Sequence, residues 1–396
     1  MSEDATAVAT PPVDRALALV TTLAGEVGPR RPTSTSERIA AELVGDALRS
    51  AGIEARAESF AAYSSFGQTY GVIAALATAP ALLPRHRRGA RGALAALGAA
   101  LLYGEGGLVR TPLSDLLSQR RSQNLVATLE PRGEAARTLC LVAHVDSSRS
   151  GLLFHPALGA QLNRWIALQS LATLLLAAEP LLARTAPGRA LIASARAICA
   201  AGLGLLVERE LRGVDVPGAN DNASGVGAVV QLAAEAAAEP LEATRIVVLI
   251  SGCEESGLLG ARAFLRRRDT TDWLFLNFDS VGSTATLRYT RAEGLVRKWP
   301  CDPALVALAG SVAQARPELG LEPADGPIGL TYDATAALAR GGRALSFVAG
   351  DRGRIRNYHQ PSDTVANLDP QTLARAVVTG REMIARIDRG EADRPP

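Results

Sequence analysis

Hydrophobic positions along the chain follow two periods in turn. Helical spacing covers 13–50, with Thr35 or Ser36 as an N-cap and Glu37 opening a run that ends near Gly52. Strict alternation over 53–60 predicts a strand. Short apolar runs at 124–129, 138–143, 246–250, 273–278 and 344–348 predict five more. Helical spacing returns at 226–237, 258–267 and 370–387. This alternation predicts an α/β fold, a three-layer sandwich with a mixed, mostly parallel central sheet covered by helices on both faces. The run at 245–250 is too β-branched and too short for a helix and reads as a buried central strand.

Two stretches depart from the pattern. Residues 70–103 and 165–207 each consist of two Ala/Leu-rich arms around a basic turn, at 84–91 and 184–189. They predict two inserted hydrophobic helical hairpins, with arms at or below the ~20 residues of a spanning helix. Glu179, Pro180 and Arg196 sit inside the second. Basic turns on the inner side predict a multi-pass protein of the bacterial cell membrane with its main domain extracytoplasmic. The alternative is a helical cap over the sheet of a cytoplasmic protein. The expected organisation is one discontinuous domain (13–69, 104–156 and 208–390), interrupted by hairpins at 70–103 and 157–207. Residues 1–12 and 391–396 are expected to be disordered termini.

Composition narrows the function. A net charge of +2 gives no electrostatic case for nucleic acid as a partner. Lys298 is the only lysine, so the arginines reflect GC-biased coding more than Arg-dependent recognition. Cys140, Cys199, Cys253 and Cys301 are dispersed without CxxC spacing, against a disulfide framework or a zinc knuckle. The polar, acidic stretch through Arg15 shows no cleavable secretory signal.

Candidate chemistry collects at predicted strand ends, where open α/β sheets build their sites. Glu254 and Glu255 follow the central strand, and alternation along an extended chain would point them different ways. His144 and Asp146 follow another strand on one side, so Asp146 is placed to hydrogen-bond the far ring nitrogen of a metal-bound His144. The Gly-rich turn 218–225 either cradles a phosphate or presents Asp221 into a site. It lacks the lysine of a P-loop. Asp279 ends a third strand, and His359 lies in a Pro-containing loop. Two of the four histidines thus stand in such contexts.

Together these motifs resemble the M28 family of zinc metallopeptidases: Ala143-His-Val-Asp-Ser147, Gly218-Ala-Asn-Asp-Asn-Ala-Ser-Gly225, Glu254-Glu-Ser-Gly-Leu-Leu-Gly260, Asp279 and His359-Gln-Pro-Ser-Asp-Thr364. The resemblance covers 30–68, 122–150 and 213 to the C-terminus. It implies two zinc ions bridged by Asp221, with His144 and Asp279 on one metal and Glu255 and His359 on the other. It also implies Glu254 as general base, assisted by Asp146 as a second catalytic residue, and a peptide substrate cleaved from its amino end. Thr331-Tyr-Asp333 stands where Ser-Asp-His is frequent, in the expected wall of the substrate pocket. Alternatives are a glutaminyl-cyclase-like aminoacyltransferase, which uses one zinc and usually lacks the first-motif histidine, and a non-catalytic, peptidase-like membrane scaffold. Membrane contact, if made, would run through 70–103 and 165–207.

Overall fold

The apolar runs pair into one eight-stranded sheet. Its strands are β1 (Ala55–Ala62), β2 (Arg120–Leu129), β3 (Arg137–His144), β4 (Thr244–Ser251), β5 (Leu274–Phe278), β6 (Leu287–Tyr289), β7 (Leu321–Pro323) and β8 (Arg343–Ala349). The order is β1-β2-β4-β3-β5-β8-β6-β7. The centre, β4-β3-β5-β8, is parallel, while β1, β2 and β6 join antiparallel. β3 to β5 are buried on both faces, as a parallel core covered by helices requires. This computed structural model describes residues 13–159, 162–324, 330–351 and 353–393.

The helices, in chain order, are α1 (Asp14–Val20), α2 (Thr35–Arg49), α3 (Phe66–Thr78), α4 (Arg88–Gly106), α5 (Leu162–Ala177) and α6 (Ala186–Arg212). Then come α7 (Gly225–Ala238), α8 (Leu259–Arg266), α9 (Pro303–Ala315), α10 (Asp333–Leu338) and α11 (Pro370–Asp388). One layer packs α1, α2 and α11 around α7; α8 and α10 pack together in the other. The three-layer α/β sandwich is therefore present.

Local signals explain most departures from the expected elements. The helical run 13–50 is two helices, because α1 widens over Thr21–Val27 and stops at Gly28 in the left-handed region (φ 74°). The N-cap of α2 is Ser34, one residue before the expected position; its side chain accepts from Glu37 N. β6 and β7 have three residues each, too few for alternation to declare them. Glu391–Asp393, expected to be disordered, forms a short 3-10 turn with Ala392 buried. Residues 1–12 and 394–396 lie outside the described residues.

The two inserted stretches are helical, but they do not stand as separate hairpins. α4 packs on α5 and α3 on α6, giving one four-helix module. Its small core holds Ala77, Ala95, Ala172, Leu176, Ile192, Ala195 and Cys199, separate from the core around the sheet. Alanine and glycine let the helices approach closely: a Cβ on Gly92 would come within 2.7 Å of Pro180. Arg91, counted in the basic turn from sequence, is instead buried inside α4. It donates to Pro80 O and Ala81 O and pairs with Glu179 (3.3 Å), which also takes Arg196 (2.6 Å).

This geometry gives the multi-pass expectation no support. At 1.5 Å per residue α3 and α5 are about 20 and 24 Å long, short of the ~30 Å hydrocarbon core. Among the described residues only α6, with 27 residues, is long and apolar enough to cross a membrane. The arms bury their inner faces on each other and tie the two insertions together through Glu179. Replacing Glu179 by Ala leaves Arg91 as an unpaired buried charge, which should destabilise the module by roughly 3–5 kcal/mol. Urea unfolding measures this, and an Arg91→Met/Glu179→Met pair should recover most of the loss. Wild-type stability in Glu179→Ala would show that the ion cluster carries no weight.

Candidate metal centre

The four parallel strands deliver their C-terminal ends to one rim of the sheet. β3 ends on His144, Asp279 follows β5, the turn after β4 carries Glu254 and Glu255, and the loop beyond β8 carries His359. Asp221 enters from the turn ahead of α7. His144 Nε2 lies 3.3 Å from Asp221 Oδ1 and 3.4 Å from Asp279 Oδ2. His359 Nε2 lies 3.3 Å from Asp221 Oδ2 and 3.2 Å from Glu255 Oε1. One carboxylate, Asp221, thus presents an oxygen to each histidine. The ligand atoms of His144, Asp221 and Asp279 lie within 4.8 Å of one another, as do those of Asp221, Glu255 and His359. Glu254 belongs to neither set, and its Oε2 is 4.0 Å from His144 Nε2.

Each of these side chains is held from outside the cluster. Asp363 accepts from the backbone N–H groups of Asn220 (2.7 Å) and Asp221 (3.0 Å). The buried Arg30 guanidinium donates to the carbonyls of Val145, Pro217 and Gly218, pinning the β3 exit and the Asp221 turn together. Gly218 is required there: it is left-handed (φ 63°), and a Cβ would meet Asp221 O at 2.5 Å and Ser147 at 2.6 Å. Asn222 Oδ1 accepts from Gly225 N and Ser280 N, fastening the turn to the segment after Asp279. Ser280 and Cys253 both have left-handed φ beside a site carboxylate. Both have their N–H groups held by another element's side chain, Asn222 and Glu37 respectively.

Two expectations about local geometry change. The Asp146 carboxylate lies 3.6 Å from His144 Nδ1 and also accepts from Glu254 N (3.1 Å) and Glu255 N (3.0 Å). His144 Nδ1 donates to the backbone carbonyl of Asp146 at 3.1 Å, which leaves Nε2 free to face Asp221 and Asp279. Asp146 is fully buried and holds the two glutamate N–H groups. Glu254 and Glu255 lie in a tight turn after β4, not in extended chain, so the turn and not strand alternation separates them.

Sequence reasoning missed several supports. Glu37 reads as a residue of a helix start, yet its carboxylate accepts from Thr33 N, Ser122 Oγ and Cys253 N and braces the glutamate turn. The His359 ring is stacked on Tyr358 (3.8 Å between centroids) and met edge-on by Phe154 (4.2 Å). Phe154 lies just before the second insertion, and Gln360 donates to its carbonyl. Only the capping position of Glu37 offered a signal; the aromatic bracket offered none.

Burial and crowding set the charges. Burial by itself would lower the histidines, but Glu254, Asp146, Asp221 and Asp279 hold His144 well above its ordinary pKa. Glu255 and Asp221 likewise raise His359 to about 9. Burial pushes Asp221 up, but the two imidazoles more than reverse that and hold it below the usual range. Burial, reinforced by Glu255, Asp333 and Asp279, raises Glu254 well above a normal carboxyl. Such a cluster of buried carboxylates needs cations beyond its two imidazoles. The donors fit zinc: two imidazole nitrogens and carboxylate oxygens, with Glu255 Oε1 buried and without a hydrogen-bond donor.

Comparison with known proteins gives the same reading. The model of peptidase family M28 matches residues 207–383, a segment holding Asp221, Glu254, Glu255, Asp279 and His359. That segment of the chain is similar to peptidase family M28. The Mycobacterium tuberculosis "Probable lipoprotein aminopeptidase LpqL" is 28% identical over 185 residues, 40% of this chain and 37% of that protein. The match therefore spans little more than a third of that relative's length. Among solved structures, the zinc aminopeptidase BSAP from Bacillus subtilis superposes with a TM-score of 0.55 at 15% identity, covering 95% of each chain. A leucine aminopeptidase precursor from Bacteroides thetaiotaomicron gives 0.55 at 14%, covering 94% of this chain and 97% of that one. A Tannerella forsythia glutaminyl cyclase gives 0.54 at 16%, covering 94% and 98%. At these identities the structures establish the fold.

The inserted module is part of the site's surroundings. A cavity of about 230 Å³ is bounded at one end by Glu254, Glu255 and His359 and along its length by α3, α5 and α6. Thr331 lines it, whereas its neighbour Asp333 is buried and accepts from Ser251 Oγ.

The same pKa shifts predict how the metal-free protein responds to pH. Burial raises Glu37 to about 8 and Asp333 and Asp363 to about 7. Carboxylate neighbours raise His359 to about 9 against burial. All four bind protons more tightly folded than unfolded, so their contribution is present at low pH and lost as pH rises through these values. Asp221 has the opposite sign, but its window lies below its ordinary pKa of 3.8. Chelator-treated protein should therefore melt at a lower temperature at pH 9 than at pH 6. Zinc-loaded protein should lose the part of that trend that comes from His359, because metal competes with protons for its ring nitrogen. A flat apo profile across this range would contradict the assignment.

Proposed function

We propose that the chain is a zinc-dependent exopeptidase, an aminopeptidase that hydrolyses peptide bonds at two zinc ions. The observation that carries this reading is Asp221, shared between two histidines, with Glu254 beside the centre but outside both donor sets. His144, Asp221 and Asp279 would hold one ion, and Asp221, Glu255 and His359 the other. Ions held there supply Lewis acidity toward a carbonyl oxygen and acidify water. Glu254, beside both donor sets but in neither, takes a proton from water at its Oε2 and returns it to the leaving nitrogen. Asp146 and Glu37 keep that carboxylate in place through the Glu254, Glu255 and Cys253 N–H groups. The presence of His144 supports the peptidase over the glutaminyl-cyclase reading, and the intact set of candidate ligands supports it over a scaffold.

Glu254→Gln should lower turnover of amino-acid p-nitroanilides by roughly 10² to 10⁴-fold while bound zinc stays near the wild-type level. Asp221→Asn should deplete both ions, and chelator should abolish wild-type turnover. Wild-type metal content is decisive: two zinc ions per chain are expected, and one would favour the cyclase. Near-full turnover in zinc-bound Glu254→Gln would reject its role as base.

The module's outer surface supports association with a membrane. Leu168, Leu171 and Leu174 are exposed at a spacing of three along α5, and Leu94, Leu97 and Leu191 are exposed on α4 and α6. The mycobacterial relative is named a lipoprotein, which supports an extracytoplasmic setting. The protein should fractionate with membranes and need detergent for release. Full release by alkaline carbonate would argue against insertion of these helices into lipid.

A further inference from the structure

The cavity continues from the glutamates and His359 into the four-helix module. Three helices wall it: Tyr70 and Ile73 from α3, Ile166 and Thr173 from α5, and Leu206 and Cys199 from α6. The spacing is seven residues from Ile166 to Thr173 and again from Leu206 to Cys199. At 1.5 Å of rise per residue the channel is about 10 Å deep, deeper than a leucine or methionine side chain reaches.

Its deep end offers little to a polar group. Gln169 Nε2 donates to Ile198 O (2.7 Å), Thr173 Oγ1 to Gln169 O (2.8 Å) and Ser170 Oγ to Ile166 O (2.9 Å). These donors are already used by helix carbonyls. Among the described residues no charged side chain lines the channel beyond the metal-centre end. Peptide side chains that are polar or branched would leave this space unfilled or their own groups unpaired.

We propose that the substrate carries a long, unbranched aliphatic chain on the carbon next to the scissile carbonyl, and that this chain occupies the channel between α3, α5 and α6. The reaction rests on the peptidase reading above; the ligand rests on the channel alone. Ile73, Ile166, Leu206 and Cys199 are then the residues that set specificity, and the insertion is what distinguishes this enzyme's choice of substrate. The chain can belong to an amino acid with a free amine or to a simple fatty acyl group, and the assay separates the two.

The zinc-loaded full-length protein is assayed without detergent on coumarin amides of alanine, norleucine, 2-aminooctanoate and 2-aminodecanoate, and on octanoyl and decanoyl amides that lack the amine. The expected kcat/KM rises about fourfold for each methylene that is buried, up to at least the eight-carbon chain. Turnover of the amine-free amides would assign the chain to a fatty acyl source, and their inertness to an amino-acid source. Cys199→Phe should lower the ratio of long-chain to alanyl turnover by about tenfold or more. Ala74→Leu, at a half-buried position of the wall, serves if that variant does not fold.

A second readout needs no catalysis. Modification of Cys199 by methyl methanethiosulfonate, followed by peptide mass spectrometry, should slow severalfold in the presence of 2-aminodecanoic acid. Turnover that is highest on alanine and falls with chain length would overturn the proposal and leave the peptidase reading standing. Protection of Cys199 without turnover of any amide would support the channel and remove the peptidase reading. Unprotected Cys199 together with an unchanged turnover ratio would overturn the channel.

Discussion

Everything at the rim of this sheet depends on one carboxylate serving two imidazoles. Asp221 stands 3.3 Å from both His144 and His359, with one oxygen toward each. Holding it there brings Asp279, Glu254 and Glu255 into the same buried volume, where like charges repel in a low dielectric. The cluster is tolerable only with protons or cations present, and this explains the shifted pKa values on almost every member. The rest of the local structure restrains that conflict. Arg30 joins two loops through backbone carbonyls, Asp363 grips the Asp221 N–H, and Asp146 grips both glutamates.

The four-helix module is tied to the same centre from both ends of the second insertion. On the entry side Phe154 packs edge-on against His359. On the exit side Arg209 lies 4.1 Å over the Phe66 ring and donates to Ser148 and Ser65. Changes in how these helices pack are therefore felt by His359 and by the wall of the cavity. The helices face in two directions, with an Ala-rich inner face and an apolar outer stripe. The buried Arg91–Glu179–Arg196 cluster specifies how the two insertions meet.

Short-range pattern made the chemistry legible in the sequence. His144, Asp221, Glu254, Glu255, Asp279 and His359 all stand in local motifs at strand ends or turns, and parallel strands bring such ends to one rim by topology alone. Their supports were not legible, because they act across the fold. Glu37 reaches Cys253 from 216 positions away, and Arg30 reaches Gly218 from 188. Nothing local in either segment announces the partner. Asp146 was legible as a neighbour of His144 but not as the acceptor for both glutamate N–H groups, because a turn replaced the extended chain on which the expectation rested.

The sequence by itself determined the α/β alternation, the buried parallel core and the residues that converge on the centre. Each follows from periodicity or from residue types at fixed short spacing, which the chain carries locally. Tertiary structure alone decided what the hydrophobic arms do. Apolar composition looks the same whether a helix faces lipid, another helix or a cavity, and only packing distinguishes these. It placed the inner faces of the arms against one another and over the metal centre, and left one helix of spanning length among the described residues.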